Sequence, residues 1–574
     1  MINKVMNLRP SPKRARAAAN MLAIAVAAWP GTNAFAQNAD AIQRALDDVA
    51  RQRVAPLPLP PADYDFRIQN PERSAVPRAV DEIEFSVRSI RVVGARHFPD
   101  SVVRSIFAPL EGRTIVLEDL RKAAQQLEDR YRAEGYFLTR VFVSPQRVKD
   151  GVLEVQVLEG YIGATFVEAP NAPSRRHAEQ LLKPVIDQHP AQFRDLESRL
   201  LLINDTPGLA GTSILRQGAE PGSSEMLVNL TRVPNAYRAS FSNTASNILG
   251  PTSYGLGATL SQPLGRPGLL DVDLSAAGGN LSELRSASLR YAAPIGSGGA
   301  VLALGGLVAF AKPGGSVASL NIKSRIMSFN SRLRAPLLRS RQNSVYVDLA
   351  MTLNRSRTEA LGKRIVDDKG TVAEVGLSWQ QVGWLNGATT VTLTLSHGLE
   401  IFGAIGRSAS LPSVDGFKPD FTKLNYSLQR TQILAGRFTA QINVQGQYTG
   451  DRLLSGEQVS FGGPSIGRGY DPSLLAGERG LGMVGELQYD LPVKLAPAID
   501  SAKLYSFADW ARATSLAYKA IPKQNRYISS IGVGVRTVLW QHASVDMQLA
   551  RAVRTVAGNP RRGVRFNLNV FLFW

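Results

Sequence analysis

From residue 236 to the C-terminus the chain alternates apolar and polar residues with a period of two, and nowhere does it offer the 18 apolar residues that a membrane-crossing helix needs. In residues 437–448, Phe438, Ala440, Ile442, Val444 and Tyr448 share one face, and Thr439, Gln441, Asn443, Gln445 and Gln447 share the other. Val391, Leu393 and Leu395 alternate with Thr390, Thr392, Thr394 and Ser396. Val345, Val347, Leu349, Met351 and Leu353 oppose Asp348, Thr352 and Asn354 in the same way. Strands of a soluble sandwich typically run about five or six residues, whereas tilted strands crossing a bilayer need about ten. Sixteen such runs begin near Tyr237, Ser253, Leu269, Glu283, Ala300, Ser324, Ser344, Thr371, Ala388, Phe421, Arg437, Leu481, Lys503, Tyr527, Ala543 and Gly563. An even number of antiparallel strands closes a barrel without leaving an edge. The expected fold is therefore a 16-stranded antiparallel transmembrane β-barrel over residues 236–574, ending on the aromatic Trp574.

The first 36 residues read as a secretory signal. Lys4, Arg9, Lys13, Arg14 and Arg16 precede the apolar run 21–29, and Ala34-Phe35-Ala36 supplies the cleavage pattern. Nine apolar residues at about 1.5 Å each fall short of a hydrocarbon core of about 30 Å, which argues against an anchor. Within residues 37–54, Ile42, Leu46 and Val49 lie at i, i+4 and i+7 and predict a short amphipathic helix over 41–50. Residues 55–84 then form a linker, in which Pro56, Pro58, Pro60, Pro61, Pro71 and Pro77 favour an extended spacer.

Residues 85–160 predict a small α/β domain of order β-α-α-β-β. Its elements are a strand at 85–93, a helix near 101–107, a helix with Leu117, Leu120, Ala124, Leu127 and Tyr131 on one face, and strands at 136–143 and 152–158. Gly135 is placed to end the second helix. The order recurs over residues 161–235, with a strand at 161–168, helices near 175–187 and 194–203, and strands at 211–217 and 226–232. The second helices begin alike, with Glu118-Asp119-Leu120-Arg121 matching Arg194-Asp195-Leu196-Glu197.

The formal charge is +19, and the signal holds five of the 66 basic residues and none of the 47 acidic ones. In an exported chain with dispersed Lys and Arg this favours lipopolysaccharide phosphates or an acidic client over nucleic acid, which is not an expected partner. The absence of cysteine excludes disulfides, thiolate metal sites and thiol catalysis. His97, His177, His189, His397 and His542 show no metal-ligand spacing, and neither metal nor cofactor is expected. Gly463-Pro464-Ser465-Ile466-Gly467 matches G-x-S-x-G, but no helix follows, as a nucleophile elbow requires. Gly480-Leu481-Gly482-Met483-Val484-Gly485 matches G-x-G-x-x-G yet enters a strand, so no helix N-terminus is available for a pyrophosphate. No catalytic residues are assigned.

The informative stretch is residues 461–472, in a long connection of about 449–480 between the eleventh and twelfth strands. Glycines on both sides of Arg468 allow a tight turn that carries its charge inward. Taken alone, the residues leave open an arginine exposed on a surface loop. The sequence resembles the two-partner secretion transporters, the TpsB family of haemolysin and filamentous-haemagglutinin type. Arg468-Gly469-Tyr470, followed by Asp471, matches that family's loop-six R-G-[YF] motif. The resemblance implies that Arg468 pairs with an aspartate in an F-x-D-x-G segment of the thirteenth strand, where Phe507-Ala508-Asp509-Trp510-Ala511 stands. Alternation puts Phe507 and Asp509 on the lumen face and Ala508 and Trp510 toward lipid. Ala511 replaces the family's glycine, and Gly467 stands where valine is common.

The same resemblance makes the tandem units periplasmic POTRA domains, carried by Tyr131-Arg132-Ala133-Glu134-Gly135-Tyr136, Asp150-Gly151-Val152-Leu153, Glu159-Gly160 and residues 201–208, and makes 41–50 a plug helix. It implies an outer-membrane location and export of a large unfolded exoprotein of TpsA type, that is, type Vb secretion. Outer-membrane lipids and lipopolysaccharide are further expected partners, as is the barrel-assembly machinery during biogenesis. An exposed POTRA sheet edge offers a physical means of holding an extended client. The alternative is a barrel-assembly factor of the same superfamily, but such proteins usually carry more POTRA repeats and lack the plug helix and proline linker.

Overall fold

The computed structural model of the protein describes residues 65–68, 84–148, 150–492, 497–556 and 563–574. The signal, the expected plug helix with Ile42, Leu46 and Val49, and most of the spacer lie outside the described residues. The spacer nevertheless contains one strand, β1 (Asp65–Ile68), so it is not an unpaired tether throughout, as its prolines had implied.

The first repeat comprises β2 (Glu84–Val87), β3 (Ser89–Val93), α1 (Asp100–Phe107), β4 (Arg113–Val116), α2 (Leu117–Ala133), β5 (Arg140–Phe142) and β6 (Val152–Leu158). The strand expected at 85–93 is broken at Arg88, where the Arg88 and Ser89 amides both donate to the Gly151 carbonyl. β2 pairs with β4, while β3 joins the sheet β3-β6-β5. The strand expected at 136–143 shortens to β5 because Gly135, at φ 94°, ends α2 and the Tyr136 amide turns back onto the Tyr131 carbonyl at 2.9 Å. Two of the quoted motif pieces meet here. Tyr131 donates to Glu159 Oε1 at 2.7 Å, and the same oxygen accepts the Arg96 and His97 amides. α2 is amphipathic, and burying Leu120, Leu127 and Tyr131 contributes about 1.5–3 kcal/mol per large apolar side chain.

The second repeat comprises β7 (Tyr161–Glu168), α3 (Ala172–Leu182), α4 (Phe193–Asn204), β8 (Leu209–Gln217) and β9 (Ser223–Arg232). Asn171 caps α3 by accepting the Ser174 amide at 2.9 Å. Its core is built from Ile162, Leu181, Leu182, Leu196, Leu201 and Met226. The sheet order is β1-β8-β9-β7, so the spacer strand lies on the outer edge of this repeat.

The barrel opens with β10 (Ala236–Ser242), β11 (Ser253–Ser261), β12 (Leu269–Ala277), β13 (Leu284–Ile295) and β14 (Ala300–Ala311). It continues with β15 (Lys323–Arg339), β16 (Asn343–Ala360), β17 (Lys363–Val382), β18 (Gly387–Leu399), β19 (Thr422–Ile433) and β20 (Phe438–Thr449). The loop after β20 holds the small pair β21 (Val459–Phe461) and β22 (Leu475–Gly477). The wall is completed by β23 (Arg479–Asp490), β24 (Ile499–Ser515), β25 (Gln524–Leu539), β26 (Ala543–Ala552) and β27 (Val564–Phe573). The sixteen wall strands form one closed antiparallel sheet, sealed by pairing of β10 with β27 from Arg238↔Phe573 to Ser242↔Asn569. Tyr237 and Trp574 stack beside that seam and exchange backbone hydrogen bonds.

The two faces separate as their alternation requires. Phe438, Ile442, Leu349 and Tyr448 are exposed on the outside, whereas Gln447 and Asp348 are buried within. Inside, acids and bases pair across strands, as in Arg334 with Asp348 at 3.0 Å and Arg290 with Asp271 at 3.0 Å. No described helix is long and apolar enough to cross a membrane.

Candidate functional site: loop six inside the barrel

The connection between β20 and β23 folds into the lumen and packs on the wall formed by β23 to β27. Phe461, Ile466, Tyr470 and Leu475 are fully buried in one cluster with Val484, Tyr505, Phe507, Ile528 and Ala552. The wall makes room for them with glycines. A Cβ at Gly482 would stand 2.4 Å from the Phe461 ring, so the G-x-G-x-x-G match is a seat for the loop. Gly469 approaches β26 so closely that a Cβ there would lie 2.6 Å from the Ala552 amide nitrogen.

Arg468 is buried, and its main-chain amide donates to Asp509 Oδ2 at 3.1 Å. Asp509 Oδ1 accepts the Ser530 amide at 3.0 Å and the Ser530 hydroxyl at 2.6 Å. The guanidinium itself goes elsewhere. Nη2 lies 2.7 Å from Glu486 Oε2, and the plane sits 4.4 Å from the centre of the Phe507 ring. The pairing of the Arg468 side chain with Asp509 implied by the resemblance is thus corrected. The ion-pair partner is Glu486 on the twelfth strand, and Asp509 holds the loop by its backbone. The Asp509 carboxylate already accepts three donors, and Glu486 lies directly opposite Phe507 in the β23–β24 register, where the guanidinium reaches it along the ring.

The rest of the motif is anchored separately. The Gly469 amide donates to the Ser530 hydroxyl at 3.2 Å, and the Arg468 carbonyl accepts from Asn567 at 3.1 Å. The Tyr470 hydroxyl lies 2.8 Å from the Arg554 carbonyl and accepts the Arg554 amide at 3.1 Å. Asp471 takes Arg565 of β27 at 2.7 Å and Asn247, in the β10–β11 connection, at 2.8 Å. One loop residue therefore touches both flanks of the barrel seam. Arg468, Gly469, Tyr470, Asp471, Phe507 and Asp509 are all brought together. Glu486, Ser530, Asn567 and Arg565 were missed, although alternation alone places Glu486, between Gly485 and Leu487, on the lumen face.

A second anchor lies at the periplasmic end. Asp205, just after α4, accepts Arg339 Nε at 2.7 Å and Nη2 at 2.8 Å. Burial outweighs the guanidinium and holds the Asp205 carboxyl above the usual carboxylate range. The Gly208 carbonyl, three residues on, accepts Ser261 and Gln262 from the barrel's first short turn. Motif 201–208 is therefore a docking element between the second repeat and the barrel, beside the Asn171–Gln262 hydrogen bond at 2.7 Å, a role its spacing does not reveal.

A closed sixteen-stranded barrel, two α/β domains ahead of it and a loop seated in its lumen by an Arg-Gly-Tyr motif define an outer-membrane protein transporter with periplasmic POTRA domains. Residues 222–537 match the family described as haemolysin secretion/activation protein ShlB/FhaC/HecB, and residues 85–160 match the POTRA domain of ShlB type. The chain belongs to the ShlB/FhaC/HecB family of two-partner secretion transporters. Similar proteins include the heme/hemopexin transporter protein HuxB of Haemophilus influenzae, 23% identical over 407 residues that cover 69% of this chain and 70% of the relative. The outer membrane transporter CdiB of Escherichia coli is 24% identical over 500 residues, covering 81% and 80%. The solved structure of CdiB from Escherichia coli superposes with a TM-score of 0.69 at 18% identity, covering 94% of this chain and 98% of that one. The protein resides in the outer membrane with its N-terminal domains in the periplasm.

Proposed function

We propose that this transporter receives one large exoprotein unfolded in the periplasm, holds it on the POTRA pair and passes it through the barrel as loop six leaves its seat. The observation that carries the reading is the seat itself. Loop six fills the lumen against β23 to β27, but it is held by side-chain and backbone contacts rather than by the closed hydrogen-bond ladder of the wall, so it can leave while the wall stays intact. Folding of the client outside supplies the direction of transport. The assignment of residues 41–50 as a plug belongs to the same proposal. We infer further that outer-membrane lipid surrounds the outward band of Leu, Phe and Tyr, and that the basic excess meets lipopolysaccharide phosphates. Deleting residues 85–232 tests capture. The expected result is loss of the exoprotein from the medium with the barrel still inserted and heat-modifiable on gels, and continued secretion would refute the reading.

A further inference from the structure

We propose that β1 is a stand-in carried by the chain itself on the outer edge of the second POTRA sheet, and that an extended segment of the exported polypeptide binds by taking its place. This rests on the transporter reading above.

The two repeats pose the same problem and solve it differently. In each, the strand that follows the helix pair, β5 in the first and β8 in the second, ends the repeat's own sheet; on β5 the Val141 amide is taken by Glu128 of α2 at 3.1 Å, whereas β8 leaves a row of backbone groups for another strand to pair with. On β8 that row is covered from outside the repeat by β1, in parallel, with Asp65↔Thr212, Phe66↔Ser213, Arg67↔Ile214 and Ile68↔Leu215. The chain thus shows what this edge accepts, namely an extended peptide.

The occupant is minimal. β1 has four residues against nine in β8, so pairing positions at both ends of β8 lie beyond it. Pro60 and Pro61 upstream and Pro71 downstream, which lack the amide that a ladder needs, bound any strand in this segment to residues 62–70. Asp65, Arg67 and Ile68 are exposed, and Arg67 and Asp65 pair with each other at 3.0 Å. Phe66 is the single anchor. Its ring packs on the second repeat's core and lies 6.3 Å from Phe193, which in turn meets Phe137 of the first repeat at 5.3 Å.

This is a site for a polypeptide backbone with one aromatic or large apolar side chain entering a notch between the repeats. Such a site is tolerant of sequence, as an unfolded client with many successive segments requires. A client strand long enough to pair along all of β8 makes every contact that β1 makes and adds more, so it displaces a four-residue competitor even though that competitor is tethered.

The chain has no cysteine, which makes a lock clean. Asp65 and Thr212 are register partners and both are exposed, so Asp65→Cys with Thr212→Cys can tie β1 to β8. The readout is the exoprotein that disappears from the medium when the transporter gene is deleted. Oxidised, the double variant is expected to secrete at least about tenfold less than either single variant, and reduction should restore it. A second arm uses a fluorescent peptide of residues 62–70 on the purified full-length protein. It is expected to bind a variant with residues 65–68 replaced by Gly-Ser-Gly-Ser at least about tenfold more tightly than the unaltered protein, whose edge is filled by a tethered strand. Phe66→Ala in the peptide should abolish most of that binding. A verified disulfide that leaves secretion unchanged, or a peptide that binds both proteins alike, overturns the proposal. If no exoprotein depends on the gene at all, the transporter reading fails instead.

Discussion

Arg339 and Arg468 are both buried arginines that tie something outside the barrel wall to the wall, one at the periplasmic end and one in the lumen, and they are satisfied to different degrees. Arg339 spends Nε and Nη2 on Asp205 and gives Nη1 to the Ser344 hydroxyl at 3.1 Å. Arg468 places Nη2 on Glu486, lays its face on Phe507 and leaves Nε buried without a hydrogen-bond partner among the described residues. Pulling Arg339 into water exchanges a full set of charge-assisted bonds for hydration, so little is gained. Pulling Arg468 into water hydrates a group that is partly unpaired in place, which lowers the cost of release. The first contact suits a fixed joint and the second a latch.

The largest expected effect comes from breaking the joint. Asp205→Ala leaves the Arg339 guanidinium buried with no carboxylate, a loss of about 3–5 kcal/mol for removing one partner of a buried pair. Faster hydrogen exchange across residues 193–208 and loss of secretion are the expected outcome. Because burial already disfavours the charge on Asp205, Asp205→Asn should be milder than the alanine variant. Equal exchange in Asp205→Ala and the unaltered protein would mean that the remaining contacts, those of Gly208 with Ser261 and Gln262, of Asn171 with Gln262 and of Glu197 with Arg341, carry the docking.

The latch should give a smaller and more diagnostic effect. Arg468→Ala and Glu486→Gln are expected to couple by about 1.5–3 kcal/mol in a double-mutant cycle read by exchange of loop-six amides, the range for a hydrogen bond to a charged group. Arg468→Ala and Asp509→Ala should be nearly additive, because Asp509 holds the residue 468 amide, which alanine keeps. Strong coupling to Asp509 with none to Glu486 would restore the pairing implied by the family resemblance. Arg468→Lys should recover charge but not the planar stacking on Phe507.

That reversal of partners marks where legibility stops. The barrel was readable because burial on one face and lipid on the other impose a period of two, and β11, β12, β14 and β26 start at the residues that alternation chose. β17 begins at Lys363, eight residues before the expected Thr371, because its outer end pairs with β16 where alternation of apolar and polar residues is lost, as in Arg357 with Asp367 at 3.2 Å. Asp509 was found through the resemblance of residues 507–511 to the family's F-x-D-x-G segment, and alternation then placed it on the lumen face. Its proton donors and the Arg468 ion pair depend on which atoms reach which across three strands, and spacing along one chain does not encode that. β1 was missed for the same reason, since four residues among prolines carry no periodicity and gain strand structure only by lying on β8.

The smallest expected effect lies next to the joint and separates the two repeats. Burial lowers the pKa of His177, and its Nε2 lies 3.3 Å from the hydroxyl of Thr206, the neighbour of Asp205. The folded second repeat therefore binds fewer protons at this group than the unfolded chain does, so stability rises with pH. Its contribution is complete above the ordinary histidine value of about 6.5 and is lost as the pH falls below it toward the lower folded value. Charging the ring in its buried position should loosen the end of α4 that presents Asp205 to Arg339. Hydrogen exchange of the full-length protein at pH 7.5 and 5.5, corrected for intrinsic rates, is expected to show protection of residues 193–208 falling on acidification, while α2 of the first repeat serves as the internal reference. His177→Gln, which cannot take up the proton, should remove the difference. If the variant loses as much protection as the unaltered protein, the pH sensitivity of the joint comes from a group other than His177.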